Sequence, residues 1–453
     1  MLESSHTEKS EMLLVGSGRV ITRDEHLPLL EDGCVAIEGG LIKAVGLTAE
    51  LRAQYPDAEF LDANKRMIMP GLINTHMHLY STFARGMALK DDAPGSFLQI
   101  LERLWWRLDK VLTLQDVYDS AMVPLIDCIK NGTTTIFDHH ASACAITGSL
   151  FRIADAVRAT GVRSCLCYEV SDRDGQEIAD QGIEENREFL RACKDSPDSL
   201  LRGLFGLHAS FTLSDCTLER AGDVVRGFDS GFHVHVAEGP EDLAQCQKVH
   251  GKSVVRRLHD LGILGPKTIA AHCIHVDGDD IALLQASGTN VVHNPESNMG
   301  NAVGCAPVLQ MMQRNVRVGL GTDGYTSDMF ESLKVANILH KHQLRQPSAA
   351  WTEPPAMLFK NNAAIASESF GQTIGKLAPG AVADVIVVDY DPPTPLCPSN
   401  LDGHVLFGVS GRSVVTTIIG GKVVMQDRRL LAIDEEQVMA KARISAAKLW
   451  QRF

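Results

Sequence analysis

The sequence predicts an α/β fold: a (β/α)8 TIM-type barrel carrying a small β-sandwich formed from both chain ends. Three observations lead there. Through the middle of the chain, short apolar runs alternate with amphipathic segments, the rhythm of a parallel sheet. The two ends share a hairpin pattern with a Gly-Gly turn. Histidines and carboxylates fall at the C-terminal end of nearly every strand candidate, the face where such barrels do their chemistry.

The terminal elements come first. Residues 34–38, then Gly39-Gly40, then 41–45 read as a hairpin with a two-glycine turn. Residues 414–419, Gly420-Gly421 and 422–426 repeat the form, and a further strand at 383–388 precedes them. Residues 1–66 and 379–453 are therefore expected to build one composite β-domain, with a helix over 435–450. The barrel is expected over 67–378. Its strand candidates are 73–76, 133–138, 163–167, 204–208, 232–237, 268–272, 290–293 and 317–323. Amphipathic stretches lie between many of them, at 114–131, 150–159, 241–250, 279–286 and 308–315.

Composition narrows the function. The 453 residues are 45% hydrophobic and 22% charged, ordinary for a soluble globular chain. A net charge of −13 argues against a nucleic-acid partner, which needs clustered Lys and Arg. The expected partner is a small molecule. Eleven cysteines, an odd number with no Cys-x-x-Cys pair, read as reduced thiols. Cys165 and Cys167 share a strand face and are expected to pack in the core. Residues 1–11 lack the apolar run of a signal peptide, and no stretch is apolar enough for a membrane span. A cytoplasmic protein without membrane contact is expected.

The stretch Pro70-Gly71-Leu72-Ile73-Asn74-Thr75-His76-Met77-His78 concentrates the chemistry. In a strand, residues i and i+2 point to one side. His76 and His78 would leave the strand end together and can hold one metal ion, since neutral imidazole suits zinc or iron. Other strand candidates end in Asp138-His139-His140, Glu169, His208, His235 with Glu238, His272, His293-Asn294 and Asp323.

With these motifs the chain resembles the amidohydrolase superfamily, in its deaminase and chlorohydrolase branch. The stretches Asp138-His139-His140, His235-Val236-Ala237-Glu238-Gly239 and Asn294-Pro295-Glu296-Ser297-Asn298-Met299 are most similar to SsnA-type aminohydrolases. Deaminases of 8-oxoguanine, isoxanthopterin and S-adenosylhomocysteine are more distant likenesses. The resemblance implies one divalent metal, zinc with iron as the alternative, on His76, His78, His235 and Asp323. His233 would sit a layer deeper. The strand over 201–208 has no lysine, so a carboxylated-lysine bridge between two metals is not expected. Glu238, His272 and Asp323 would be catalytic, moving protons between water, substrate and leaving group. His272 is equally open as a further ligand.

Substrate contacts are expected from His208, from one of His139 and His140, and from Arg85, Trp105, Glu296 and Asn298. Tyr80, Ser81, Thr82, Gln99 and Trp106 lie nearby in the sequence. The implied activity is hydrolytic deamination at a C–N bond of a heterocycle such as an amino-purine or pteridine. One alternative is a different leaving group, or a cyclic amide, on the same machinery. A second is a non-catalytic metal-binding scaffold, disfavoured because no ligand is missing. A homodimer or higher oligomer is expected, with residues 330–343 as a contact by fold analogy.

Overall fold

The computed structural model describes residues 12–196 and 198–453. The expectation for residues 1–11 lies outside the described residues. Both chain ends enter one nine-stranded sheet. Its path runs Arg429–Leu430, Lys422–Gln426, Val414–Ile419, Val385–Val388, Met67–Pro70, Leu13–Ile21, Leu29–Glu38 and Leu41–Leu47; Glu59–Asp62 pairs with Leu13–Ile21 off this path. The two expected hairpins are there. Gly39 and Gly40 have φ of +60° and +80°, and Gly420 and Gly421 +54° and +79°. A two-residue turn of that type needs positive φ at both centres, which glycine adopts without a Cβ clash.

The strand expected from residue 34 begins earlier, at Leu29, and the one expected from 383 is shorter, Val385–Val388. The latter pairs antiparallel with Met67–Pro70. A segment near the C-terminus is thus bonded to the residues just before the His-x-His strand. A buried ion pair between Arg163 and Asp384 ties the two parts of the molecule again.

The middle of the chain is α/β, with two parallel sheets. One contains Leu72–Met77, Thr133–His140, Arg163–Tyr168 and Leu201–Gly203. The other contains Phe205–Ala209, Phe232–Val236, Ile269–His272, Asn290–His293 and Val318–Leu320. Single bridges join them at both seams, Val170 with Leu207 and Met77 with Asp323. At the second seam the amides of Thr322 and Asp323 both donate to the His76 carbonyl at 3.0 Å.

The fourth strand, expected as one piece, is therefore two. At Leu204 the backbone turns from one neighbour to the other, its amide donating to Leu166 O at 3.1 Å. Gly206 then lies so close to the Tyr168 carbonyl that a Cβ would clash with it. The last strand, expected over 317–323, is only Val318–Leu320, because Asp323 turns out of it with φ +54°.

Helices Leu114–Lys130, Ser149–Thr160, Pro240–His250, Gly278–Ser287 and Val308–Gln313 occupy the expected stretches, and Glu435–Arg452 closes the chain. Leu114–Lys130 starts on a capping box of Thr113 and Asp116. The twenty-residue helix Gln176–Asp195 is absent from the sequence expectation. It is strongly polar and buries only a narrow stripe, including Ala179, Ile183, Asn186 and Leu190. The short helix Thr48–Gln54 inside the terminal domain is also new. Among the described residues no helix is long and apolar enough to cross a membrane.

Candidate active site

The strand ends converge on one cluster of imidazoles. His78 Nδ1 donates to His139 O at 2.5 Å, and His235 Nδ1 to His208 O at 2.9 Å. Each acceptor is an oxygen, so the Nδ1 carries a proton and Nε2 is left facing inward. His76 Nδ1 lies against His233 Nε2, so His76 also turns its Nε2 inward. The inward atoms then meet. His78 Nε2 is 3.2 Å from His235 Nε2 and 3.1 Å from Asp323 Oδ1. His76 Nε2 is 3.9 Å from the same oxygen. It is buried and has no hydrogen-bond partner among the described residues, and the same holds for His272 Nε2.

Buried nitrogens left unpaired are costly unless something fills the space between them. Tetrahedral ligands at about 2.1 Å from zinc would lie roughly 3.4 Å from one another, close to the spacing seen. The donor set of three imidazoles and one carboxylate therefore fits a divalent metal ion, which would take the place of the His78 Nε2 proton.

His272 stands beside this set. Its Nε2 is 3.6 Å from Asp323 Oδ2 and 3.5 Å from Glu238 Oε2. Its Nδ1 donates to Asn298 Oδ1 at 2.8 Å. Ala237, His272 and Asp323 all adopt positive φ, +48°, +72° and +54°. Such residues cost on the order of 1–3 kcal/mol each and gather at functional sites. Here they turn the chain sharply at the strand ends and aim Glu238, His272 and Asp323 at one point.

The two carboxyl groups of the cluster are driven apart. Burial opposes charge on Asp323, but in the metal-free form a His78 protonated on both nitrogens, itself raised against burial to about 9 by this carboxylate, hydrogen-bonds to it and with the neighbouring imidazoles holds it well below the usual carboxylate range. Glu238 is buried without such partners. Burial, and then the charge of Asp323, push it well above its ordinary value, which favours its protonated form. Asn301 Nδ2 reaches Glu238 Oε1 at 3.4 Å and Ser297 Oγ at 3.2 Å, and Ser297 Oγ donates to Asp323 Oδ2 at 2.5 Å.

Above the cluster opens a cavity of about 720 Å³, its mouth included. His78, His235, Asp323 and Glu238 line it below; Phe97, Leu101, Trp105, Trp106 and Phe211 give it apolar walls. His208 lines it too, and burial lowers that imidazole to about 4, so it is neutral.

Other expected contacts lie elsewhere. Arg85 follows the turn Leu79–Ala84 outward, its side chain 62% exposed and 3.8 Å from Asp127. His139 is buried beneath His235, its Nε2 3.1 Å from both Leu207 O and His233 O. His140 Nε2 meets Ser142 Oγ at 2.9 Å. Neither of this pair lines the cavity, so the expected contact from one of them is corrected: both imidazoles are spent on protein groups. Glu296 turns away from the cavity, and Asn298 reaches His272 instead of the open space.

Residues that sequence reasoning did not place in the site include Glu169, Asp109, Asp242 and Tyr325, all on the cavity wall. Glu169 was visible only as a strand-end carboxylate. Asp109 lies within a helix and carries no signal.

Comparison with known proteins agrees with this geometry. The amidohydrolase family model matches residues 67–424, and an imidazolonepropionase-like bacterial composite domain matches 33–58. A 5'-deoxyadenosine deaminase of Methanosarcina mazei is 33% identical over 444 residues, covering 97% of this chain and 99% of that protein. A 5-methylthioadenosine/S-adenosylhomocysteine deaminase of Pelotomaculum thermopropionicum is 33% identical over 445 residues, with 97% and 99% covered. Among solved structures, an adenosine deaminase from Xanthomonas campestris with bound zinc superposes with a TM-score of 0.86 at 25% identity, over 97% of this chain and 98% of that one. Atrazine chlorohydrolase from Arthrobacter aurescens shares the fold, with a TM-score of 0.80 at 21% identity, over 96% and 100%.

The chain belongs to the amidohydrolase family. Within it, the protein is a hydrolase of carbon–nitrogen bonds, a hydrolytic deaminase of a nitrogen heterocycle.

Proposed function

We propose that the protein deaminates an adenosine derivative with a single zinc ion held by His76, His78, His235 and Asp323. The observation that carries this is the placing of Glu238 and Asp323 on the floor of one apolar cavity, each within 3.6 Å of His272 Nε2, where burial pushes Glu238 up and the neighbouring imidazoles hold Asp323 down. Two carboxyls held in opposite states mark the acid and the base of a reaction. In our reading the two parallel sheets act as one closed eight-unit barrel over 67–378, capped by a composite terminal domain.

When bound, the metal lowers the pKa of a water towards about 7. The protein's groups do the rest. Asp323 Oδ2, beside Ser297 Oγ and His272 Nε2, accepts the water's proton as the oxygen attacks the amino-bearing ring carbon. Glu238 gives its proton to the adjacent ring nitrogen, and the proton taken by Asp323 passes to the departing amine. His272, fixed by Asn298, hydrogen-bonds the developing tetrahedral oxygen. As ammonia leaves, the hydroxyl's remaining proton returns to Glu238 and a lactam remains. Trp105, Trp106 and Phe211 offer flat apolar surface to a purine and keep bulk water out.

The test is ammonia release by zinc-loaded protein from 5'-deoxyadenosine, 5'-methylthioadenosine, S-adenosylhomocysteine and free amino-purines, with metal content measured alongside. Conversion of a nucleoside to its inosine analogue at one zinc per chain is expected. No ammonia from any of them would sink the reading.

A further inference from the structure

Glu169 ends the strand Arg163–Tyr168 and lies on the cavity wall, 5% exposed. A guanidinium holds it from behind, and an imidazole stands beside it. Arg173 Nη1 is 3.2 Å from its Oε1, and His139 Nδ1 is 3.1 Å from its Oε2. Arg173 is itself pinned by buried Asp109 and by Asp174. A buried carboxylate paired this way stays ionised. On its open side stands His208, whose Nε2 is 3.8 Å from Glu169 Oε1. That gap is wider than a hydrogen bond, so neither group satisfies the other.

We propose that Glu169 is a substrate-binding carboxylate that selects molecules carrying an N–H or O–H donor in this gap. The proposal rests on the deaminase reading for the class of molecule and deepens it. The mechanism uses Glu238 and Asp323 and leaves Glu169 idle, yet the fold spends a buried arginine on keeping it charged. An ionised acceptor facing the cavity is left underbonded by any ligand that lacks a donor there, and such a mismatch is penalised far more than a missing apolar group. Two sources supply the donor, a hydroxyl of the sugar or a ring N–H of a free base.

The experiment uses zinc-loaded protein and two matched pairs, 5'-deoxyadenosine with 2',3',5'-trideoxyadenosine, and adenine with 9-methyladenine. In whichever pair supplies the donor, its loss is expected to lower affinity by about 10- to 100-fold, on the scale of one unmatched buried polar group. Glu169→Gln is expected to raise KM for the donor-bearing member by a similar factor while kcat stays within about threefold, and so to narrow the gap between the two members of that pair.

Several results overturn the proposal. Equal affinity within both pairs does so in the parent protein alone, even if the variant fails to fold. A fall in kcat rather than a rise in KM does so as well. Loss of a second metal equivalent in Glu169→Gln would reassign Glu169, with His208 and His235, to a cation. Calorimetric binding separates this from the deaminase reading: donor-dependent binding without ammonia release supports the role of Glu169 and defeats the reaction.

Discussion

His76 Nδ1 lies 2.8 Å from His233 Nε2, both rings fully buried. His233 therefore orients His76, a proposed metal ligand, without facing the cavity. The two rings reach each other from different sheets, His76 on Leu72–Met77 and His233 on Phe232–Val236, with 4.9 Å between centroids.

Removing that support should weaken metal binding more than it harms the fold. His233→Leu is expected to lower zinc affinity by about 10- to 100-fold, the usual effect of losing a partner of a metal-binding histidine. Competition against a fluorescent chelator measures it. Unchanged affinity would mean that packing alone sets the His76 ring.

Glu238 offers a sharper test of the chemistry. Glu238→Gln keeps the shape and the Asn301 contact but has no acidic proton to give. We expect kcat to fall by about 10²- to 10⁴-fold, the range for a lost general acid, with zinc content unchanged. Loss of zinc together with activity would instead make Glu238 a ligand.

Glu296 gives a pH-dependent prediction away from the metal cluster. Burial pushes its carboxyl up to about 7 from 4.5, and both oxygens lack a hydrogen-bond partner among the described residues. An acid whose folded pKa is raised binds more protons folded than unfolded. Its stabilising contribution is thus full below the unfolded value and is lost as pH climbs from about 4.5 to 7. Glu296→Gln should be neutral near pH 4 and more stable than the parent by about 1–3 kcal/mol above pH 7. Urea unfolding at the two pH values checks it, and a constant difference between them would contradict it.

The terminal sheet is predicted to stand or fall with one ion pair. Asp384 binds Arg163 and also accepts from the Gly420 amide at 2.8 Å. Asp384→Ala leaves a buried guanidinium without its counter-charge, and should cost about 3–5 kcal/mol. Chemical denaturation reads the loss; a change under 1 kcal/mol would show that water replaces the carboxylate.

Much of this molecule was legible one residue at a time. The i, i+2 spacing of His76 and His78, the Gly-Gly turns and the β/α alternation are local signals, set by backbone periodicity and by the φ that glycine permits. Asp323 and His235 were legible because strand ends of a parallel sheet share one face. Tertiary structure decided what periodicity cannot reach. His139 and His140 end a strand as plainly as His76 does, yet their rings are consumed by the Leu207 and His233 carbonyls and by Ser142. Glu169 looked like any strand-end carboxylate until Arg173 and His139 closed behind it. Arg85 stands next to the metal motif in sequence and points to solvent in space. The physical reason is common to all three. Which wall a side chain joins depends on register and contacts between segments tens of residues apart, and no local pattern carries that information.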